Sequence, residues 1–210
     1  MEFIQLEQQP NADELFDVLD EKGLPTGQSK RRAEVHRDGD WHRSFHLWII
    51  KEGRYVLFQR RARNKDIEPF KLDVSVGGHF RSGETLPDVL REAKEEVGLV
   101  LRPSDVEYVE TRQAVRQYSH ALDREFQEVY VTRCDQALED YFLDYREVYA
   151  LHEIPLERAI SLYRNGTPVA AAGWDAYQRH NNALLVSDDL ISQAREDVIA
   201  CLERLAQWLD

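Results

Sequence analysis

The hydrophobic pattern of this chain changes its period at residue 85. Before it, two β-rich runs at 42–50 and 54–59 are joined by a short turn containing Gly53, which predicts an antiparallel hairpin. After it, apolar residues recur every three or four positions, which predicts an amphipathic helix. Thr85 with Asp88 is typical of a capping box, and Gly98 suits the left-handed position after a helix. The pattern therefore predicts an α/β domain.

The same sequence patterns predict the remaining strands and helices and three segments of the chain. We predict strands at 15–20, 72–76, 106–115 and 126–132, and helices at 30–36, 155–164 and 187–209. Residues 1–40 form an N-terminal extension with a β-hairpin, 41–185 the core, and 186–210 a C-terminal amphipathic helix of the same domain. That helix can pack on its own domain or on a second copy in a homodimer, and periodicity does not separate the two.

Charge and hydropathy exclude several classes of function. Lys and Arg number 27 against 39 Asp and Glu, a net charge of −12, so the cationic footprint of a nucleic-acid-binding protein is missing. Apolar runs such as residues 47–50 fall far below the roughly 20 residues of a membrane span. The N-terminal sequence lacks the pattern of a secretory signal. We therefore expect a cytoplasmic protein that acts on small molecules.

Three glutamates on the predicted central helix suggest a metal site. Glu92, Glu95 and Glu96 are spaced i, i+3 and i+4, which brings their carboxylates to one helix face. Clustered carboxylates repel each other unless a cation neutralises them, and hard oxygen ligands suit Mg²⁺ or Mn²⁺. The alternative is a solvated acidic face. The glycine-rich loop that begins at Gly77-Gly78 favours the metal site, because such a loop lets backbone approach a phosphate or a metal closely.

Residues 78–99, taken together, resemble the Nudix box, Gx5Ex7REUxEExGU, where U is aliphatic. The matching residues are Gly78, Glu84, Arg91, Glu92, Ala93, Glu95, Glu96, Gly98 and Leu99. The resemblance implies the Nudix α/β/α sandwich with a mixed β-sheet. It also implies hydrolysis of a diphosphate linkage in a nucleoside diphosphate derivative or a related small diphosphate. Mg²⁺ or Mn²⁺ would be held by Glu92, Glu95 and Glu96, and the catalytic residues would be Glu92, Glu95 and Arg91.

The box of this chain is one residue short. Six residues separate Glu84 from Arg91, where the family pattern has seven. The carboxylate face keeps its register, so we expect metal binding to survive. The support that Glu84 lends to the loop and to Arg91 is left open by the missing residue.

Other segments are similar to the isopentenyl-diphosphate isomerase-like branch of Nudix proteins, which contains true isomerases and hydrolases. These segments are 17–20, 25–27, 34–43, 59–61, 65–66 and 73–79. True isomerases of this branch carry a catalytic cysteine where this chain has Gly77. Glycine cannot exchange protons with carbon, so we expect a hydrolase rather than an isomerase. A Nudix-fold nucleotide-binding or regulatory module without turnover is the other alternative.

The same resemblance implies a second metal site. His36, His42, His79 and Glu125, with Asp123 close by in sequence, match the positions at which isomerases bind a metal. Three imidazoles with a carboxylate suit Zn²⁺ or Mn²⁺ better than Mg²⁺. The alternative is that these histidines only organise the N-terminal hairpin by hydrogen bonding.

Substrate contacts are expected at the end of a strand and in the glycine loop. Arg60 and Arg61 are suited to grip phosphate, and Gly77 and Gly78 let the backbone approach it. Because neighbouring residues alternate across a strand, we expect only one of the two arginines to face the site.

Overall fold

The computed structural model of the protein describes residues 13–209 except 66, 119–120, 176 and 194. Its strands are β1 (Leu15–Leu19), β2 (Pro25–Arg31), β3 (Trp41–Lys51), β4 (Tyr55–Arg61), β5 (Leu72–Asp73), β6 (Val76–His79), β7 (Glu107–Gln117), β8 (Leu122–Arg133), β9 (Val148–Pro155), β10 (Val169–Trp174) and β11 (Arg179–Leu185). Its helices are α1 (Arg32–Asp38), α2 (Leu86–Val89), α3 (Arg91–Val97), α4 (Leu156–Asn165) and α5 (Arg195–Leu209).

The strands form one mixed sheet organised around β3. The longest path of neighbours runs β11-β10-β9-β4-β3-β1-β2. The strand β3 also pairs in parallel with β8 along most of its length and antiparallel with β6, while β7 extends the sheet from β8. Residues from distant parts of the sequence therefore meet along β3.

Alternating side chains of β3 build two cores. Phe45, Leu47 and Ile49 pack with the apolar side of α3 on one face of the sheet. Trp48 and Ile50 pack with α4 and α5 on the other face. This strict alternation is the period of two expected of a strand covered on both sides. The predicted α/β/α sandwich with a mixed sheet is confirmed.

The N-terminal hairpin covers one end of β3. Strands β1 and β2 pair antiparallel, and Phe16, Val18 and Val35 form a separate small core between the hairpin and α1. This is the predicted hairpin extension, although residues 1–12 lie outside the described part of the chain. Within the described ranges, none of the helices has the length and apolar character of a membrane span.

The structure corrects three helix boundaries. The helix predicted at 30–36 begins at Arg32. Ser29 lies in β2 and donates a 2.8 Å hydrogen bond to Asp17, and the Arg31 amide donates to Glu34 at the start of the helix. The helix predicted at 86–97 is interrupted at Leu90.

The C-terminal helix begins at Arg195 rather than at residue 187. Residues Ser187–Asp189 form a short 3₁₀ helix, and Leu190 makes an isolated bridge to Leu72. This segment is therefore part of the tertiary packing and not the first turns of α5.

The predicted hairpin of β3 and β4 is present but short. The two strands pair only at Ile50 with Val56 and Lys51 with Tyr55. Beyond these pairs β3 turns to β6, while β4 pairs with β9. The separation of the two strands places β6 beside β3 and β5 beside β4.

Candidate active site

Gly77 and Gly78 lie in β6, and the loop that follows them, residues 80–85, connects β6 to α2. Glu84 holds this loop. One oxygen of the Glu84 carboxylate accepts a hydrogen bond from the Arg81 backbone amide at 2.8 Å. The Asp88 carboxylate caps α2 by accepting from the Thr85 amide at 2.9 Å. The predicted capping box is thus formed.

Glu84 and Arg91 are in direct contact. Arg91 Nε donates to Glu84 Oε1 at 2.9 Å, and Arg91 Nη2 donates to Glu84 Oε2 at 3.0 Å and to the His79 carbonyl at 3.2 Å. The motif is one residue short between Glu84 and Arg91, and in the same segment the helix is interrupted at Leu90, between α2 and α3. The support of Glu84 for the loop and for Arg91, left open by the sequence, is present in the geometry.

Glu92 lies against the backbone of the glycine loop. A Cβ atom added to Gly78 would stand 2.4 Å from Glu92 Cδ, so a larger residue at this position would displace the Glu92 carboxylate. Burial raises the pKa of Glu92 to about 7, against the opposing charge of Arg91, with which it forms an ion pair. The carboxylate is therefore held in a site where its charge is costly without a cation.

Glu96 is the most buried of the three glutamates. It accepts hydrogen bonds from Gln59 Nε2 and from the Gly77 amide, both at 3.3 Å. Burial, reinforced by the charge of Glu92, raises the pKa of Glu96 well above its ordinary range. Glu95 differs, because its side chain is 52% exposed and its ion pair is with Arg91, at 3.4 Å.

These three glutamates line a cleft of about 580 Å³ together with Gly77 and Gly78. The cleft also contains a group of cationic side chains, which are Arg32, Arg61, Lys65, Arg91, Lys94 and Arg146. A cleft lined by both carboxylates and cationic side chains is suited to a polyanion bound together with divalent metal.

The structure separates the two strand arginines. Arg61 lines the cleft and forms a 2.8 Å ion pair with Asp73. Arg60 points elsewhere, donating to Asp189 at 2.8 Å and to the Phe70 carbonyl at 3.0 Å. The structure thus brings Arg61 to the predicted site, whereas Arg60 is engaged in packing the loop between β4 and β5.

The residues predicted for the second metal do come together. His36 from α1, His42 from β3 and His79 from β6 place one ring nitrogen each within 4.8 Å of the others, and His42, Asp123 and Glu125 form an overlapping group. In the described part of the chain these are the two groups of this kind. The three glutamates of the cleft are not among these groups, and Glu92 and Glu95 instead share an ion pair with Arg91.

The histidine cluster has the chemistry of a metal site. His42 Nδ1 lies 3.1 Å from the Asp40 carbonyl, which leaves the lone pair on Nε2. Both His42 Nε2 and His36 Nε2 are buried without a hydrogen-bond partner in the described ranges. Burial and the neighbouring rings lower the pKa of His36 to about 2, so its imidazole is neutral. Neutral imidazoles with free nitrogens fit a transition metal.

Glu125 completes this cluster as an anion. It lies 3.0 Å from His79 Nε2 and 3.2 Å from Arg116 Nη1. Although burial opposes ionisation, the His79 contact and the Arg116 charge hold the pKa of Glu125 well below its ordinary range. Phe16 stacks on His42 and His79 at 5.4 and 4.9 Å between ring centroids, so the N-terminal hairpin shields the cluster.

Some residues of the site were not found from the sequence. Arg32 and Lys65 line the cleft, and Arg32, His46 and Arg116 line a smaller cavity beside it. None belongs to the Nudix box, and single basic residues or histidines on predicted elements carry no signal of their own. Only the position of Arg32 four residues before His36, on the same helix, relates it to a predicted ligand.

Comparison with known proteins shows similarity to Nudix proteins. A model of the Nudix domain matches residues 40–168. An uncharacterized Nudix hydrolase of Clostridium acetobutylicum is 36% identical over 148 residues, covering 69% of this chain and 71% of that protein. Nudix hydrolase 3 of Arabidopsis thaliana is 39% identical over 181 residues, covering 84% of this chain but only 21% of that longer protein.

Two further comparisons concern the branch and the fold. The isopentenyl-diphosphate Delta-isomerase of Escherichia coli K12 is 29% identical over 133 residues, covering 61% of this chain and 73% of the isomerase. A crystal structure of a Deinococcus radiodurans protein superimposes with a TM-score of 0.59 at 18% identity, covering 91% of this chain and 99% of that one. The chain therefore belongs to the Nudix hydrolase family, with similarity to the isopentenyl-diphosphate isomerases of the same fold.

Proposed function

We propose that this protein is a metal-dependent pyrophosphohydrolase that cleaves a diphosphate linkage in a nucleoside diphosphate derivative or a related small diphosphate. The observation that carries the proposal is that Glu92, Glu95 and Glu96 and a group of cationic side chains line the same cleft of about 580 Å³. The carboxylates can attract the metal cation, and the cationic side chains can attract the diphosphate anion.

The cationic side chains hold the diphosphate. Arg61, held by Asp73 and by the Ile67 carbonyl, brings a cationic guanidinium to the lining of the cleft. Lys65 adds a positive charge on a flexible side chain. Its ammonium group also forms an ion pair with Glu147. Gly77 and Gly78 have no side chains, so the approach to this part of the cleft is open.

The glutamates fit Mg²⁺ or Mn²⁺. Carboxylate oxygens are the donors that these ions prefer, and the raised pKa values of Glu92 and Glu96 show how unfavourable their charges are without a cation. When bound, such an ion neutralises the diphosphate and increases the acidity of water. Glu92, Glu95 and Glu96 would hold it after losing any bound proton.

Hydrolysis requires water to add to one phosphorus while the bridging P–O bond breaks and the departing phosphate takes up the charge. Glu95 is the exposed carboxylate of the cleft, so it is placed to meet that water. Arg91 holds Glu92 and Glu95 by ion pairs and is itself held by Glu84. We assign Arg91 the task of positioning the two carboxylates, and Glu84 that of supporting the loop.

Hydrolysis is favoured over isomerisation by the residue at the head of the loop. Gly77 lies in β6 with its amide directed at Glu96, and it offers no group that exchanges a proton with carbon. The histidine cluster is proposed as a site for Zn²⁺ or Mn²⁺. It would lock His79, and with it the loop that carries Gly78, to β3 and β8.

The test is release of phosphate and monophosphates from nucleoside diphosphates, nucleotide sugars, dinucleotides and isoprenoid diphosphates, with Mg²⁺, with Mn²⁺ and with chelator. We expect metal-dependent hydrolysis of one class and its loss in Glu95→Gln, with the melting temperature unchanged. Glu203→Gln is the matched control, since Glu203 is similarly exposed and also pairs with an arginine, on α5. Hydrolysis by Glu95→Gln at the wild-type rate would refute the role of Glu95. Silence over the whole panel would refute the proposed function.

A further inference from the structure

The loop between β4 and β5, residues 62–71, carries one cation of the cleft. This cation is Lys65, whose ammonium group pairs with Glu147, another residue of the cleft lining. Residue 66 of the loop lies outside the described part of the chain. The position of the Lys65 charge depends on the conformation of this loop.

The backbone of the loop has an unfavourable conformation at two residues. The φ angle is 46° at Glu68 and 63° at Phe70, both in the left-handed region. Residues with a side chain rarely adopt this region, and it is least favourable for bulky ones. Such a conformation persists only where the surrounding contacts maintain it. The loop therefore needs contacts from outside to keep its shape.

Two arginines of β4 contact the loop from the sheet. Arg60 Nη1 donates to the Phe70 carbonyl at 3.0 Å, and Arg61 Nη2 donates to the Ile67 carbonyl at 3.1 Å. The guanidinium carbon of Arg60 also lies 4.8 Å from the centroid of the Phe70 ring. Arg60 does not line the cleft, but it contacts both the backbone and the ring of one left-handed residue.

Residues 188–192 follow the part of the chain that matches the Nudix model, and they hold Arg60 in place. Asp189 Oδ1 accepts a hydrogen bond from Arg60 Nη1 at 2.8 Å, and Asp189 Oδ2 accepts one from the Val186 amide at 2.8 Å. Both carboxylate oxygens are thus in use. Because Arg60 in turn holds Phe70, Asp189 supports the first left-handed residue through the arginine.

The same segment holds the second left-handed residue directly. Glu68 Oε1 accepts a hydrogen bond from the Ser192 amide at 3.0 Å and another from the Ser192 hydroxyl. Lys71, the last residue of the loop, donates to the Asp188 carbonyl. The segment is therefore attached to the loop at or beside each residue whose backbone needs support.

We propose that residues 188–192 position Lys65 for diphosphate binding, with Asp189 and Ser192 as positioning residues that act through the loop between β4 and β5. This inference rests on the proposed function and adds to it a segment outside the Nudix match. Without these contacts the loop can leave its left-handed conformation, and the Lys65 charge is then spread over many positions. The glutamates of α3 are held by other residues, so binding should weaken while the chemical step is retained.

The experiment measures the Kd of methylenediphosphonate, a diphosphate analogue with an uncleavable bridge, by titration calorimetry in the presence of Mg²⁺. Asp189→Asn has a single acceptor oxygen, so it cannot hold both Arg60 and the Val186 amide. We expect its Kd to rise about tenfold, the effect of one hydrogen bond to a charged group. The kcat for the diphosphate class that the protein hydrolyses should change by about twofold or less, as for a loss of binding alone.

The matched control is Asp188→Asn. Asp188 is the exposed neighbour of Asp189, and its contact with the loop is made by its backbone carbonyl, which the substitution keeps. This variant should bind methylenediphosphonate with the Kd of the wild type. Ser192→Ala removes the hydroxyl contact to Glu68 but keeps the amide contact, so its Kd should rise by about two- to threefold.

A double variant tests whether Asp189 acts through Lys65. Lys65→Met should raise Kd by itself, because the positive charge is lost. When Asp189→Asn is added to Lys65→Met, Kd should rise by less than about twofold more, since the group that Asp189 positions is already absent. Hydrogen exchange of residues 62–71 should be faster in Asp189→Asn than in the wild type.

Three results would overturn the inference. These are no binding of methylenediphosphonate by the wild type, equal Kd in the wild type and Ser192→Ala, and an effect of Asp189→Asn that persists in full beside Lys65→Met. Failure of Asp189→Asn to fold leaves the decision to Ser192→Ala. Absence of hydrolysis of every diphosphate would overturn the proposed function, whereas the titration would still decide the role of residues 188–192 in binding.

Discussion

Arg91 grips the carboxylate of Glu84 with two nitrogens, at 2.9 and 3.0 Å, across a junction that is one residue shorter than the Nudix pattern. The same guanidinium contacts Glu92 and Glu95. Glu84 therefore acts on the carboxylate face of α3 through Arg91, although it lies outside the cleft-lining set.

Replacing Glu84 with Gln should lower kcat by about 10- to 100-fold, the range found when a group that orients a metal ligand is removed. The amide cannot accept both bonds of the arginine, so Arg91 loses its fixed orientation. Steady-state kinetics at saturating Mg²⁺ measures the effect. Asp88→Asn, at the same junction but without contact to Arg91, should keep the wild-type kcat. An unchanged kcat in Glu84→Gln would contradict the positioning role of the pair.

Replacing Gly78 with Ala should abolish most activity. The added Cβ would meet Glu92 Cδ at 2.4 Å, so the carboxylate must leave its place. We expect kcat/KM to fall by about 100-fold or more, since small displacements of a positioned group carry large rate penalties. Gly53→Ala is the control for activity: its φ of 62° makes the substitution strained, but its Cβ would enter open space outside the cleft lining, so the folded protein should keep its kcat/KM. Wild-type activity in Gly78→Ala would show that Glu92 is not needed in this position.

The histidine cluster should bind about one equivalent of Zn²⁺ or Mn²⁺ per chain under metal-replete conditions. Elemental analysis of the purified protein measures it, and removal of the metal should lower the melting temperature. His42→Gln should lose the metal because Nε2 of His42 is the shared member of both ligand groups. His180→Gln, at an exposed ion pair with Asp175, should retain it. Less than about half an equivalent in the wild type would leave the cluster with only a hydrogen-bonding role.

The buried histidine His152 should make the protein less stable in acid. Burial and the charge of Arg60 lower its pKa from 6.5 to about 3. The unfolded chain therefore takes up a proton that the folded chain refuses, and stability present above pH 6.5 is lost as the pH falls towards 3. The loss amounts to about 1.4 kcal/mol for each pH unit in this window.

Urea unfolding at pH 7, 6 and 5 measures this dependence. His152→Gln does not titrate, so its free energy of unfolding should fall less between pH 7 and pH 5 than that of the wild type. Equal slopes in the two proteins would show that His152 does not contribute. The rest of the acid sensitivity is expected from the other buried histidines, including His46.

How far the sequence alone led is clearest at α3 and the loop before it. The spacing of Glu92, Glu95 and Glu96, the cap formed by Thr85 and Asp88, and the end at Gly98 are properties of contiguous residues. Such local features follow from helix geometry and from hydrogen bonds within one turn, so the sequence predicts them without knowledge of the fold. The family motif then indicated the sandwich and the type of reaction.

Other features depended on contacts between distant residues. That Arg61 and not Arg60 faces the cleft follows from how β4 packs between β3, β5 and β9. That His46 and Arg116 line the same smaller cavity follows from the pairing of β3 with β6 and of β7 with β8. The helix break at Leu90 lies in the segment where the motif is one residue short. Contiguous residues alone set the local geometry of α3. Which cations, histidines and cavities meet this helix depends on strand register, and strand register is set by packing across the whole sheet.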